Sequence, residues 1–272
     1  MKNHLNSYEN LDPKFISWLA GIIDGDGNFD VRKGNVLKAI RIKLHNRDIR
    51  ILYRILNILK VGRIKSIKNK PYSMYIVSNQ EQMKFICHLI NGQIRLKVPG
   101  FIKSCHYLNI PYIEANYSLK PYDPYYSGLI DTEGSIVFNY SCNRIECNLE
   151  LKYNDYSKKL DLSNLIPFSQ PYIIKRAHNN RSLNKTYYSI SFKYQNVDQM
   201  IHIYDFFIKN RLYSDFKFYR VTRIKSFILL RKFKNDSFDS IMYKKYSQFV
   251  KSFIQYENPS WTKLSYINKL NL

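Results

Sequence analysis

Two carboxylates stand at matching places in two related stretches. Asp26 is the last acid of LAGIIDGDG (residues 19–27) and Glu133 the last acid of YSGLIDTEG (residues 126–134), and a glycine follows each. A carboxylate at the carboxyl end of a helix meets the negative end of the helix dipole. Two such acids placed side by side repel and hold protons more tightly. A divalent cation relieves both effects. Mg2+ takes one or two carboxylates and fills its shell with water and phosphate oxygens. Metal ions bridging two acids activate water and stabilise the leaving oxygen in phosphodiester hydrolysis. Either acid alone reads as a turn cap; the matched pair reads as a metal site.

The motifs also say how the acids are brought together. Gly21 and Gly25 are four apart and share one helix face, and Gly128 and Thr132 hold the same places in the second copy. Each interior glycine costs a helix about 1 kcal/mol relative to alanine. That loss makes sense where small residues let two helix backbones approach closely. The two helices then cross about a pseudo-two-fold axis within one chain, which predicts a monomer. Each copy has its own start signal, Asp12-Pro13 and Asp123-Pro124, an N-cap followed by a proline suited to the first turn.

Each motif helix leads into two alternating stretches: 28–32 and 37–44 in the first half, 135–140 and 146–152 in the second. Phe29, Val31, Ile40, Ile42 and Leu44 fall on one side, and Asn28, Asp30, Arg32, Ala39, Arg41 and Lys43 on the other. A helix is expected over 47–60, ended by Gly62, then strands near 63–68 and 72–77 and helices over 79–90 and 100–108. The second half is expected to repeat this, with a helix near 156–166, strands over 171–176 and 187–193 and a helix over 197–209. The predicted fold class is α+β: two pseudo-symmetric αββαββα repeats, each with a four-stranded sheet. Residues 1–108 form the first repeat, 109–122 a linker, 123–235 the second repeat and 236–272 a helical extension. A basic helix is expected over 215–233, and Ile241, Met242, Tyr246, Phe249, Val250 and Phe253 form one apolar face beyond it.

Lys and Arg total 43 against 21 Asp and Glu, a formal charge of +22 spread along the chain, so a polyanion partner is expected. The alternating strands aim it at a sheet face carrying Arg32, Arg41, Lys43, Arg63 and Lys65 in the first half and Lys152, Lys175 and Lys193 in the second. No apolar run reaches the roughly 18–20 residues of a membrane span. The first ten residues carry no secretory or transit pattern. The cysteines, Cys87, Cys105, Cys142 and Cys147, lack CxxC spacing and read as reduced thiols. His4, His45, His88, His106, His178 and His202 show no ligand spacing either. The bias toward Lys, Asn, Ile, Tyr and Phe matches AT-rich codons, as in an organelle genome.

LAGIIDGDG and YSGLIDTEG resemble the paired motifs of the LAGLIDADG homing endonucleases, especially the single-chain, two-repeat forms of fungal mitochondrial introns. The resemblance covers about residues 12–233. It departs at Tyr126, Thr132 and Glu133. It implies a saddle-shaped fold over double-stranded DNA, a mitochondrial location and catalytic metal, Mg2+ with Mn2+ as a substitute, held by Asp26 and Glu133. It implies structural roles for Asp24 and Asp131. RLKV at 95–98 and LYSDFK at 212–217 resemble the family's lysine after the third helix, which makes Lys97 and Lys217 candidate catalytic residues. The family's polar position near the end of the second strand falls on Leu44, a departure, and on Lys152.

The resemblance leaves two activities in play: cleavage of both DNA strands at a specific site, and a maturase role assisting folding of a group I intron RNA. The intact acid pair favours cleavage. The basic C-terminal run (Lys217, Arg220, Arg223, Lys225, Arg231, Lys232, Lys234, Lys244, Lys245) leaves room for RNA. A transcriptional regulator on the same fold ranks last, because it would not need the acids.

Overall fold

The structure is a computed structural model that describes residues 11–180 and 185–270. The N-terminal ten residues, His4 among them, lie outside the described residues. Helix α1 (Pro13–Asp26) begins where expected: the Asp12 carboxylate accepts from the Lys14 N–H at 2.9 Å. Its counterpart is α5 (Tyr125–Thr132).

Strands β1 (Gly27–Arg32), β2 (Val36–His45), β3 (Arg63–Ser66) and β4 (Tyr72–Val77) make an antiparallel sheet in the order β1-β2-β4-β3. Strands β5 (Gly134–Asn139), β6 (Arg144–Lys152), β7 (Tyr172–Asn180) and β8 (Lys185–Tyr194) repeat that order as β5-β6-β8-β7. The halves are in register: Gly27 pairs with Ile42 as Gly134 pairs with Leu149, 107 residues later.

Behind the first sheet, α2 (Ile49–Leu59) buries Ile51, Leu52, Ile55 and Leu59, and its last turn closes on Lys60 in the left-handed region rather than on Gly62. Helices α3 (Gln80–Ile90) and α4 (Val98–Tyr107) follow, and α6 (Met200–Lys209) is the counterpart of α3 in the second half. One continuous apolar core runs through both halves. Ala39 shares the Asp30 face as expected but is buried.

The expected helix at 156–166 does not form; only a single 3-10 turn, Ser157–Lys159, is present there. Local side chains and the linker take its backbone bonds. The Asn154 side chain accepts from the N–H groups of Tyr156 and Ser157, and Asp161 accepts from that of Ser163. The Asp161 N–H donates to Tyr117 O, and the Leu119 and Tyr122 N–H groups donate to Asp161 O and Leu165 O. Such side-chain turns compete with a helix for the same groups.

The expected helix at 215–233 is likewise divided into α7 (Asp215–Thr222), α8 (Ile224–Leu230) and a 3-10 turn at Arg231–Asn235. Helix α9 (Ile241–Gln255) buries Tyr243, Tyr246, Phe249, Val250 and Phe253, while Ile241, expected on that face, is 72% exposed. The Arg231 Nε donates to Asn143 O at 3.1 Å and the Lys234 Nζ to Tyr140 O at 2.6 Å, and the Tyr246 hydroxyl of α9 donates to Asn143 Oδ1 at 2.8 Å, which fastens the extension to the β5–β6 turn. Among the described residues no helix is long and apolar enough to cross a membrane.

Candidate active site at the helix crossing

The glycines are where α1 and α5 touch. A Cβ on Gly21 would lie 2.1 Å from Tyr125 O, and one on Gly128 would lie 2.2 Å from Trp18 O. A Cβ on Gly25 would lie 1.9 Å from Thr132 Oγ1 and 3.4 Å from Glu133 Cγ. Contacts below 3 Å are repulsive for any side chain, so the backbones themselves form the interface. The two carboxyl ends therefore abut, and Asp26 and Glu133 leave them together.

Asp26 is half-buried and Glu133 exposed. Loss of solvent raises the Asp26 carboxyl above its ordinary value; the charges of Lys97 and Lys217 oppose that, and Asp48 adds to it. Glu133 is raised by partial desolvation and then by the charge of Asp26. Each acid thus feels both lysines, and Glu133 feels its twin.

The lysines hold the two helix ends. The Lys97 ammonium donates to the carbonyls of Gly25 and Gly27. The Lys217 ammonium, fully buried, donates to the carbonyls of Ile130 at 2.7 Å, Asp131 at 2.9 Å and Thr132 at 3.3 Å. A cation at the last carbonyls of a helix meets both their free acceptors and the negative dipole end. Burial lowers the pKa of both lysines, with the neighbouring acids opposing.

The earlier acids of the motifs position those lysines. Asp24 is buried and accepts from the N–H groups of Arg95 at 2.6 Å and Lys97 at 2.8 Å, and from the Tyr125 hydroxyl at 2.7 Å. Asp131 accepts from the N–H groups of Tyr213 and Ser214, each at 2.9 Å, and from the Trp18 indole at 2.9 Å. Each buried acid therefore fixes the loop leading to its own half's lysine and takes one donor from the other half. Trp18 and Tyr125 both stand three residues before the crossing glycine, a repeat visible in the sequence but not singled out there.

The register sorts the sheet-face residues. Arg41 pairs across to Ile76 and Arg63, and Lys43 to Met74 and Lys65, which puts all four cations on one open face with Arg32. Asp30 bridges Arg32 and Arg41, each at 2.7 Å. In the second half Lys152 and Lys193 share the corresponding face. Lys175 does not: it pairs with Ile190 on the packed side and lies over the rings of Tyr153 and Tyr188 at 4.0 and 4.9 Å. Arg176, paired with Ser189 beside Lys152, takes the open face instead. The adjacent isoleucines of YIIKR give no alternation from which to read this.

Leu44 is buried on the packed face, and register matches it to Leu151; Lys152 matches His45. The polar residue near Asp26 at this end is Asp48, 9% exposed, with Oδ1 lacking a hydrogen-bond partner. In sequence Asp48 falls inside the helix expected over 47–60, and only the turn after β2 carries it toward Asp26.

Fold and site define a two-motif α+β chain whose paired acids meet at crossing helices beside a basic sheet face. The LAGLIDADG endonuclease family model matches residues 19–97. The intron-encoded RNA maturase bI4 of Saccharomyces cerevisiae is 31% identical over 142 residues, 52% of this chain and 22% of that one. The intron-encoded DNA endonuclease ai2b of Dictyostelium discoideum is 25% identical over 197 residues, 71% and 72% of the two chains. The LAGLIDADG meganuclease I-AabMI, in a crystal structure with uncleaved DNA, superposes with a TM-score of 0.57 at 16% identity, covering 87% of this chain and 98% of that one. The first motif and its half thus match the LAGLIDADG endonuclease model, and the fold of the whole chain is that of the meganucleases. The matches span less than a quarter of the first two curated relatives' lengths, 22% and 24%.

Proposed function

We propose that the chain is a site-specific endonuclease that hydrolyses both strands of double-stranded DNA with divalent metal. The observation that carries this reading is the meeting of Asp26 and Glu133 at two abutting helix ends, each end held by a lysine. The donors suit a hard cation: two carboxylates, with no cluster of three or more His, Cys, Asp or Glu among the described residues. Such a pair leaves coordination positions for water and phosphate oxygens, as Mg2+ requires. When bound, the cation polarises a phosphoryl oxygen and makes water a stronger nucleophile. Lys97 and Lys217 keep the acids in place, while Arg32, Arg41, Lys43, Arg63, Lys65, Lys152 and Lys193 bind phosphates and set the register on the duplex.

On this reading one monomer works as an internal pseudo-dimer. Its halves, 1–108 and 123–235, are joined by the linker 109–122, and 236–272 braces the second half. The bias toward residues with AT-rich codons supports a mitochondrial site of action, and the intron-encoded maturase among the relatives supports RNA binding as a second activity.

The test begins by selecting a target duplex from a randomised library in Ca2+ and ends with plasmid cleavage in Mg2+. Asp26→Asn combined with Glu133→Gln is expected to abolish cleavage and keep binding in Ca2+. Cleavage by the double variant at the parent rate would sink the assignment.

A further inference from the structure

From Trp18, about 12 Å along α1 from Asp26, toward the amino end of that helix, the two halves leave a seam. A cavity of about 120 Å³ opens there beside a cleft of about 630 Å³, and the two share Arg54, Arg211 and Tyr213. Lys14 and Lys209 line the first, Arg50 and Tyr53 the second. Arg50 is paired with Asp215, and the Asp12 carboxylate accepts from the Lys14 N–H. Among the described residues, Lys14, Arg54, Lys209 and Arg211 have no acidic partner.

The guanidinium of Arg54 is held by rings in place of an acid. It lies 3.9 Å from the Tyr213 centroid and 5.6 Å from that of Trp18, and its Nε is buried without a hydrogen-bond partner. Like charges gathered without counter-charge repel, and a buried donor left unpaired is costly. A phosphate seated in the seam relieves both. Tyr53, 49% exposed, adds a ring face on which an unstacked base can rest.

Four of the nine C-terminal cations that the sequence points to bond carbonyls of the protein itself, and Lys225, Lys232, Lys244 and Lys245 are exposed. Lys217 caps α5, the Arg220 Nη1 donates to Ile136 O at 2.7 Å, and Arg231 and Lys234 bind carbonyls of the β5–β6 turn. The seam is where cations without an acidic partner and rings converge, with Lys209 over Tyr122 at 3.9 Å and Arg211 over Phe218 at 4.3 Å.

We propose that this seam is a binding groove for RNA, taking backbone phosphates on Arg54, Arg211, Lys209 and Lys14 and an unpaired base on Tyr53. RNA fits better than duplex DNA because the groove pairs cations with an aromatic face, and loops of folded RNA present unstacked bases. The groove opens at Trp18, about two turns of α1 from Asp26, and runs toward the amino end of that helix. The proposal gives the RNA-binding reading above its site and rests on that reading, not on DNA cleavage by this chain.

The test uses the full chain and three probes: a labelled RNA hairpin with an eight-nucleotide single-stranded loop, the DNA duplex selected in Ca2+, and ATP as competitor. Lys209→Gln with Arg211→Gln, both exposed, is the main variant. Arg54→Gln is the second, and Lys103→Gln with Lys244→Gln removes the same charge elsewhere. The seam variants are expected to weaken hairpin binding about tenfold. The double variant is expected to lower the slope of log affinity against log salt by about 1.4, because two phosphates of a single strand are no longer neutralised. Duplex affinity and cleavage stay within twofold. Three results overturn the proposal: unchanged hairpin affinity, an equal loss for hairpin and duplex or in the control variant, or displacement of the hairpin by ATP at the hairpin's own Kd. Loss of cleavage in the acid variants bears on the separate endonuclease reading and leaves this one untouched.

Discussion

The half whose motif helix ends in Asp26 and the half whose motif helix ends at Glu133 share a backbone plan and differ in what surrounds their acid. Asp26 is half-buried beside Asp48, a third carboxylate that is itself buried, with Lys43 also near. Glu133 is exposed, and the residue matching Asp48 by register, Asp155, is a surface acid bound to Lys158 at 2.6 Å. The sheets diverge in the same way. Lys43 and Glu150 hold equivalent positions with opposite charge. Pseudo-symmetry here conserves where backbones touch and leaves the chemistry of each half-site free to differ.

The largest expected effect breaks the comparison at its centre. Asp26→Asn and Glu133→Gln, made singly, should each slow cleavage about 10³-fold, the loss of several kcal/mol of charge stabilisation. The nicks each leaves should favour opposite strands, read on plasmid with strand-specific end labels. A bias toward the same strand in both would mean that the halves do not divide the work.

A smaller effect concerns the lysines. Lys217→Met strands three carbonyls in a dry site and should cost about 3 kcal/mol, whereas Lys97→Met, where water can reach the carbonyls, should cost about 1 kcal/mol. Urea midpoints at constant slope measure both, and equal losses would erase this difference between the halves.

The smallest effect is a dependence on pH. The Ser189 hydroxyl and the His178 ring both contact Glu150 Oε1, and the Ser189 bond holds the carboxyl below its ordinary 4.5. A depressed acid stabilises the fold above its unfolded pKa and loses that contribution as pH falls through its folded value. The parent should exceed Glu150→Gln by about 0.5 kcal/mol at neutral pH, a figure kept small by exposure. The gap should close in acid. Lys43→Gln, at the matching place in the first half, should show no such acid-side change.

The repeat, the glycine crossing and the acid pair were legible because spacing along one helix encodes them. The lysines at 97 and 217 were legible as positions, but their carbonyl contacts depend on loops that Asp24 and Asp131 arrange from a distance. The missing second-half helix was not legible. Its apolar spacing is helical, yet Asn154 and Asp161 capture its backbone and the linker pairs with what remains. Lys175 failed on register, since a one-residue shift turns a side chain to the other face. Asp48 was hidden because it falls inside the helix expected over 47–60, and only the turn after β2 brings it toward Asp26.

The crossed donors, Trp18 to Asp131 and Tyr125 to Asp24, bear on how such chains can be recombined. A hybrid joined at the linker inherits one buried carboxylate from each parent and asks the other parent's helix for its third proton donor. If the incoming half carries an aliphatic residue three places before its glycine, that carboxylate goes short in a dry interior. The loop it holds then slackens, and with it the lysine beneath the opposite parent's acid. Exchangeable halves are therefore those that match in this one aromatic donor, whatever their sheets read.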